Sequence, residues 1–276
     1  MKALSERFKA EPIHLAPILV SLVFGMLCTF LLLTASIEIY RVTPFSEDVF
    51  GSFGNAFYFV ILVGAGASVL FLLLKRKNYK LIMLLIGFAL TTAVFLLSMT
   101  YLFAAFSMLA MPHVEVSILI LSLLMTFLAD FAIFRTRSIV NDLVVLCLGG
   151  ALGAFLGASV PTLSTILILC FLAVYDAFAV YRGPVGKIAR SGLEQLKGLS
   201  FSFRDIQMGL GDLTFYSMLS GHMFLNFGLF SGLASIIGIL LGCFLAFKML
   251  ERKGMFPGLP FPIFLGLTAS FLVSLL

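Results

Sequence analysis

Two aspartates stand in apolar stretches of this 276-residue chain, where an ionised side chain is costly. Asp176 follows Tyr175, and Asp212 ends the run Gly209-Leu210-Gly211-Asp212. Acidic residues in such segments usually serve a function, so we take the pair as a candidate site. Two carboxylates in contact and away from water cannot both ionise easily, and they should therefore share a proton.

A proton-sharing pair of carboxylates can activate water. The ionised member takes a proton from water, while the protonated member donates a hydrogen bond to the carbonyl oxygen under attack. This is the chemistry of aspartic proteases, and it requires no metal, cofactor or covalent intermediate. The four cysteines all lie within apolar runs and form no paired metal motif, so we expect no metal site.

The spacing of the two aspartates from flanking charges predicts that they can meet. Asp176 precedes Arg182 by six residues, and Asp212 follows Arg204 by eight. At about 1.5 Å per helical residue, the aspartates lie roughly 9 and 12 Å from these charges along antiparallel helices. We expect Gly209 to assist, with Gly211, by letting the two helices approach closely.

Composition indicates that these helices lie in a membrane. The chain is 61% hydrophobic and 11% charged, with a mean hydropathy of +1.15. This leaves too little polar material to cover a soluble core. We predict one all-α polytopic domain over residues 1–276, with nine transmembrane helices near 15–37, 53–74, 81–105, 115–134, 139–158, 161–182, 208–228, 230–250 and 259–276.

The basic residues predict the orientation of the spans in the cell membrane. With a cytoplasmic N-terminus, all but one of the 18 Lys and Arg residues fall on the inner side, and Arg41 is the exception. The C-terminus should then be external. We attribute the net charge of +5 to this topology and expect no nucleic acid partner. The longest connection, 183–207, should be cytoplasmic, either as a surface-lying loop or as a gate beside the site.

Three motifs in chain order carry a family resemblance. Tyr175-Asp176, Gly209-Leu210-Gly211-Asp212 and Pro257-Gly258-Leu259-Pro260 resemble the signatures of the presenilin and signal peptide peptidase family of intramembrane aspartyl proteases, which have nine helices. Short loops make the chain most similar to an archaeal presenilin homologue. The chain departs from the family at Gly258, where Ala is usual.

The resemblance implies that Asp176 and Asp212 are catalytic. It also implies that the remaining motif residues shape the site or bind substrate, namely Tyr175, Gly209, Leu210, Gly211, Pro257, Gly258, Leu259 and Pro260. Independently, Pro257, Pro260 and Pro262 predict extended backbone before the last span, because each lacks an N–H and disfavours helix in the preceding residue. Such a segment either lines the site or is an ordinary loop.

The predicted substrates are transmembrane helices that enter from the bilayer and unwind, since a hydrogen-bonded helix hides its scissile carbonyls. Cleavage should occur toward the cytoplasmic side. The predicted topology is similar to that of presenilin, and this resemblance implies substrates whose N-terminus is external. A proton- or cation-coupled transporter or channel using the same carboxylates is the alternative, and a scaffold would leave the aspartates unexplained. The sequence leaves open whether copies of the chain associate.

Other residues have structural interpretations. His222 lies ten residues after Asp212, which is about 280° around the helix, so we expect it to bond a neighbouring helix. Gly149, Gly153 and Gly157 form a small-residue stripe suited to close helix packing. The chain has no HExxH motif, no Walker loop and no Ser-His pair in a glycine-framed motif.

Overall fold

The computed structural model describes residues 9–35, 40–108, 114–136, 139–181, 198–204, 206–253 and 255–276. These residues form nine α-helices and one two-stranded hairpin, and a 3₁₀ turn at Pro12–Leu15 precedes the first helix. In chain order the elements are α1 Ala16–Ala35, α2 Val49–Lys75, α3 Tyr79–Ser107, α4 Val114–Arg135, α5 Ile139–Ser159, α6 Thr162–Tyr181, β1 Ser200–Phe203, β2 Ile206–Gly209, α7 Leu210–Phe227, α8 Leu229–Lys253 and α9 Pro260–Ser274.

The described helices make this an all-helical, multi-pass membrane fold. Seven of them, α1 to α6 and α8, are long and apolar enough to cross a membrane by length and composition. The helix α9 is apolar but shorter, with 15 residues. The helix α7 carries Asp212, His222 and Asn226, which lower its hydropathy. Each helix overlaps one of the nine apolar segments of the sequence.

A short hairpin precedes α7, where the sequence analysis expected a loop running directly into a helix. Strands β1 and β2 pair antiparallel, from Ser200 opposite Gly209 to Phe203 opposite Ile206. Arg204 in the turn adopts a left-handed φ of 51°. Burial alternates along β2, with Ile206 and Met208 inside, as expected for a half-buried strand. The helix α7 therefore begins at 210 and not at 208. Residues 183–197 of the predicted loop lie outside the described part of the chain. They include most of the segment that could act as a gate.

The glycine stripe of α5 brings α7 into backbone contact. A Cβ atom on Gly153 would lie 2.3 Å from the Thr214 carbonyl oxygen, and one on Gly157 would lie 2.7 Å from that of Met218. On Gly149 it would lie 2.8 Å from the Leu213 Cβ. The close-packing role expected for these glycines is confirmed, and it sets the depth of the helix that carries Asp212.

His222 ties the C-terminal half of α7 to two neighbouring helix ends. Its Nδ1 lies 2.7 Å from the Gly157 carbonyl oxygen, and its Nε2 lies 3.1 Å from the Thr162 hydroxyl. Because a carbonyl can only accept, Nδ1 carries the proton and the Thr162 hydroxyl donates to Nε2. The imidazole is buried, and the expected bond to a neighbouring helix is confirmed.

Two other helix pairs, α8–α9 and α2–α6, pack closely against each other. A Cβ atom on Gly242 of α8 would lie 2.5 Å from the Pro262 Cα, so the start of α9 rests directly on the α8 backbone. The helix α6 packs against α2, where the Phe57 ring meets that of Phe171 edge-on at 5.2 Å. The α8–α9 and α2–α6 pairs position the last motif and Asp176.

Candidate active site

The two aspartates lie near the ends of α6 and α7 that adjoin the 182–209 connection. Asp176 is five residues from the end of α6 at Tyr181, and Asp212 is the third residue of α7. Gly209 caps α7 in an extended conformation, with φ −77° and ψ 148°. The Asp212 carboxylate reaches back toward the Gly209 N–H, as acidic residues in a first helical turn often do.

Both carboxylates meet the irregular segment between α8 and α9. The Leu259 N–H donates to the Asp176 Oδ2 at 3.0 Å. A Cβ atom on Gly258 would lie 3.0 Å from the Asp212 Oδ2. Asp176 thus bonds to Leu259 and Asp212 lies beside the neighbouring Gly258, and the two aspartates lie close enough to interact electrostatically with each other. The structure brings together the two aspartates and the proline motif, which are far apart in the sequence.

Tyr216 is a site residue that the sequence analysis missed. Its hydroxyl donates to the Gly258 carbonyl oxygen at 2.8 Å, and its side chain is only 1% exposed. It follows Asp212 by four residues and so lies on the same helix face. That spacing is a signal by which the sequence could have identified it. Tyr216 links α7 to the residue that contacts Asp212.

The proline motif is irregular only in part. Residues 255–259 are non-helical, as expected before the last span, but α9 begins at Pro260, so the residue before Pro262 is helical and not extended. Prolines fit the first turn of a helix because the N–H groups there have no helical partner. Pro257 and Leu259 are buried, and they fix the segment on either side of Gly258.

The glycines before Asp212 do not mediate packing of α7 on α6. Added Cβ atoms on Gly209 and Gly211 would find their nearest neighbours at 3.9 Å, and these belong to Gly211 and Phe215 of α7 itself. The expected role in helix approach was therefore wrong, because α7 packs through α5. Leu210, between the two glycines, is buried and its N–H donates to the Leu199 carbonyl oxygen at 2.8 Å.

Tyr175 faces α2. Its hydroxyl lies 3.4 Å from the position of a Cβ atom on Gly64, and the side chain is half-buried. It therefore occupies the boundary between α6 and α2, beside Asp176.

A cavity of about 100 Å³ adjoins Asp212. It lies between strand β2, the helix α8 and the irregular segment, and its lining is Gln207, Met208, Asp212, Tyr216, Cys243, Ala246, Phe247, Leu250, Phe256, Pro257 and Gly258. A larger hollow, of about 600 Å³, opens at the other end of the helices among Arg41, Glu47 and Asn226. We take the smaller cavity as the candidate site, because Asp212 lines it.

Two carboxylates that meet one irregular segment between apolar helices could activate water for peptide hydrolysis within a membrane. A family model described as signal-peptide peptidase, presenilin aspartyl protease matches residues 18–190. The chain belongs to this family and is an intramembrane aspartyl protease. The matched range contains Asp176 and ends before Asp212.

Two solved structures of a presenilin family intramembrane aspartate protease, in space groups C222 and P2, share the fold. Their TM-scores are 0.69 and 0.66, at 20% and 22% identity. The alignments cover 95% of this chain in both cases, and 99% and 96% of those chains. A comparison with curated proteins returns no match. Neither the fold nor the family favours the transporter alternative.

Proposed function

We propose that Asp176 and Asp212 are the catalytic dyad with which this protein hydrolyses peptide bonds of transmembrane helices. The observation that carries the proposal is the meeting of both carboxylates on one irregular segment, with the Leu259 N–H 3.0 Å from the Asp176 Oδ2. The Asp212 carboxylate lies beside Gly258, the residue next to Leu259.

The dyad performs the reaction by moving one proton. The ionised carboxylate removes a proton from water as the water oxygen bonds to the scissile carbonyl carbon, while the protonated carboxyl donates to the carbonyl oxygen. When the tetrahedral intermediate collapses, the C–N bond breaks and a carboxyl proton passes to the departing amine. One carboxyl ends protonated and one ionised, so the pair is ready for another cycle.

The substrate should bind as an extended strand between β2 and the irregular segment. Gln207 and Met208 of β2 line one side of the cavity at Asp212, and Pro257 and Gly258 line another. Extended backbone can pair with an exposed strand edge, and such pairing would replace the hydrogen bonds that the substrate loses on unwinding. Tyr175 at the α2–α6 boundary is suited to guide that strand toward Asp176.

We further propose nine membrane crossings with the N-terminus in the cytoplasm. The support is the placement of the basic residues, including Lys75 and Arg76 at the end of α2 and Arg252 and Lys253 at the end of α8. Both aspartates then lie toward the cytoplasmic leaflet. Water would reach them from that side, and substrates with an external N-terminus would have the matching direction.

The test is cleavage of a labelled transmembrane peptide by the purified protein in lipid. We expect Asp176→Asn and Asp212→Asn each to abolish cleavage, because an amide can neither accept nor supply the catalytic proton. Asp130→Asn is the matched control: Asp130 also lies in an apolar helix, where it accepts a hydrogen bond from the Thr91 hydroxyl at 2.7 Å. The control should retain activity, and wild-type cleavage by either dyad variant would refute the mechanism.

A further inference from the structure

A stacked aromatic pair closes the irregular segment between α8 and α9. The rings of Phe256 and Phe261 lie 5.3 Å apart between centroids, with 15° between their planes. These two residues flank Pro257–Pro260, the motif that contacts both aspartates. The stack therefore joins the two ends of the motif directly, side chain to side chain.

One end of this stack is anchored by the packing of α9 on α8. A Cβ atom on Gly242 would lie 2.6 Å from the Phe261 carbonyl carbon, so the Phe261 backbone rests on the α8 backbone. At the other end, the Lys253 ammonium lies 5.9 Å from the centre of the Phe256 ring. Ring stacking and the cation–π contact both favour this arrangement. Phe256 is thus held between the last residue of α8 and the first turn of α9.

The middle of the motif is held by hydrogen bonds to Asp176 and Tyr216. The Leu259 N–H donates to Asp176, and the Gly258 carbonyl oxygen accepts from Tyr216. A hydrogen bond to a carboxylate is stronger than one to a neutral carboxyl group, so the Leu259 contact changes whenever Asp176 gains or loses a proton. The contact between the two rings does not depend on that charge.

We propose that Phe256 and Phe261 are positioning residues that hold Gly258 and Leu259 against the dyad while its protonation changes. This inference rests on the proposed function of Asp176 and Asp212. In this role the rings do not act on either aspartate directly. They act through the backbone between them, by keeping the Leu259 N–H at hydrogen-bond distance from Asp176.

A competing role for Phe256 is that of a simple cavity wall. Phe256 lines the cavity at Asp212, and Phe261 is not part of that lining. A wall that contacts substrate would make Phe256 important for KM and leave Phe261 without effect. A ring pair that positions the motif makes both residues equally important for kcat. The two roles therefore predict different results at Phe261.

The kinetic test compares Phe256→Leu, Phe261→Leu and the double variant on a transmembrane peptide in lipid. We expect each single change to lower kcat roughly two- to ten-fold and to leave KM nearly unchanged. This range is the rate factor that corresponds to the free energy an aromatic pair typically contributes. The double variant should be no slower than the slower single variant, because either change removes the whole stack. Phe256→Tyr and Phe261→Tyr should restore wild-type kcat.

The matched control is Phe264→Leu. Phe264 lies on α9, the helix that contains Phe261, and it is 66% exposed. It should leave kcat unchanged. A rise in KM for Phe256→Leu with wild-type kinetics for Phe261→Leu would overturn the inference, as would strictly additive single effects. Failure of the wild-type protein to cleave any transmembrane peptide would instead refute the proposed function.

Hydrogen–deuterium exchange tests the same inference without catalysis. In the folded, substrate-free protein, the Leu259 amide should exchange several-fold faster in Phe256→Leu and Phe261→Leu than in wild type or Phe264→Leu. Thermal melting and gel filtration would establish that each variant is folded. Equal exchange in all four proteins would overturn the positioning role, whatever the cleavage assay shows.

Discussion

The Tyr216 hydroxyl lies 2.8 Å from the Gly258 carbonyl oxygen and joins α7 to the segment between α8 and α9. Asp212 stands one helical turn before Tyr216 and contacts the same Gly258 from its side chain. The helix α7, which follows the β1–β2 hairpin, and the irregular segment after α8 are thus joined to each other beside the Asp212 carboxylate. The geometry of the site depends on this junction.

Loss of the Tyr216 hydroxyl should impair catalysis as well as stability. Tyr216→Phe leaves the Gly258 carbonyl without this donor, at a cost of about 1–3 kcal/mol for an unsatisfied buried group. We expect kcat to fall roughly ten-fold, which corresponds to about 1.4 kcal/mol. Steady-state cleavage of a transmembrane peptide measures this change.

Tyr101→Phe is the matched control for Tyr216→Phe. The Tyr101 hydroxyl also donates to a backbone carbonyl, that of Ala151 at 2.6 Å, but it does so between α3 and α5. This variant should lose stability and keep its kcat. Equal kcat values for the two variants would show that the Tyr216 bond has no catalytic role.

Gly258 should tolerate Ala and reject Val. A Cβ atom there would lie 3.0 Å from the Asp212 Oδ2, so Ala requires a shift of only a few tenths of an ångström. The γ-carbons of Val would occupy the space of the carboxylate itself. We expect Gly258→Ala to cleave within about three-fold of wild type, and Gly258→Val to fall more than a hundred-fold, about 2.8 kcal/mol or more.

The control for the Gly258 variants is Gly66→Val, because a Cβ atom on Gly66 has no neighbour within 4 Å. This change should leave activity intact. Full activity in Gly258→Val would mean that Asp212 and Gly258 are not in contact during the reaction.

Packing of α5 on α7 should be intolerant of a single methyl group. Gly153→Ala places a Cβ atom 2.3 Å from the Thr214 carbonyl oxygen, so the helices must separate. Overpacking of this kind costs about 1–3 kcal/mol. We expect a lower melting temperature together with reduced kcat, since α7 carries Asp212. Gly87→Ala, with its nearest neighbour at 3.7 Å, should melt as wild type. An unchanged melting temperature in Gly153→Ala would contradict the close packing.

The rate of the chemical step should pass through a maximum as pH is varied. Catalysis needs one ionised and one protonated carboxyl, so the rate falls when both Asp176 and Asp212 are protonated and again when both are ionised. Single-turnover cleavage in lipid across the pH range would measure this profile. A flat profile in the chemical step would exclude a shared catalytic proton.

Local patterns in the sequence predicted much of the candidate site. Asp176 and Asp212 are recognisable because a carboxylate in an apolar segment is costly, and each lies beside a motif that can be read along the chain. The helices are predictable for a similar reason, since each backbone hydrogen bond in a membrane helix closes within its own segment. Tyr216 was within reach of the same reasoning through its spacing from Asp212.

Tertiary structure decided how these elements meet. The chain by itself determined the membrane class, the helical segments and the two acidic residues, because composition and helical period are local properties. Only the packed structure showed that α7 rests on the glycines of α5 and not on α6 through Gly209 and Gly211. Only the packed structure brought Leu259 to Asp176 and Gly258 to Asp212. Such contacts join residues far apart in sequence, and the physical reason is that shape complementarity between helices is a property of surfaces that no local pattern contains.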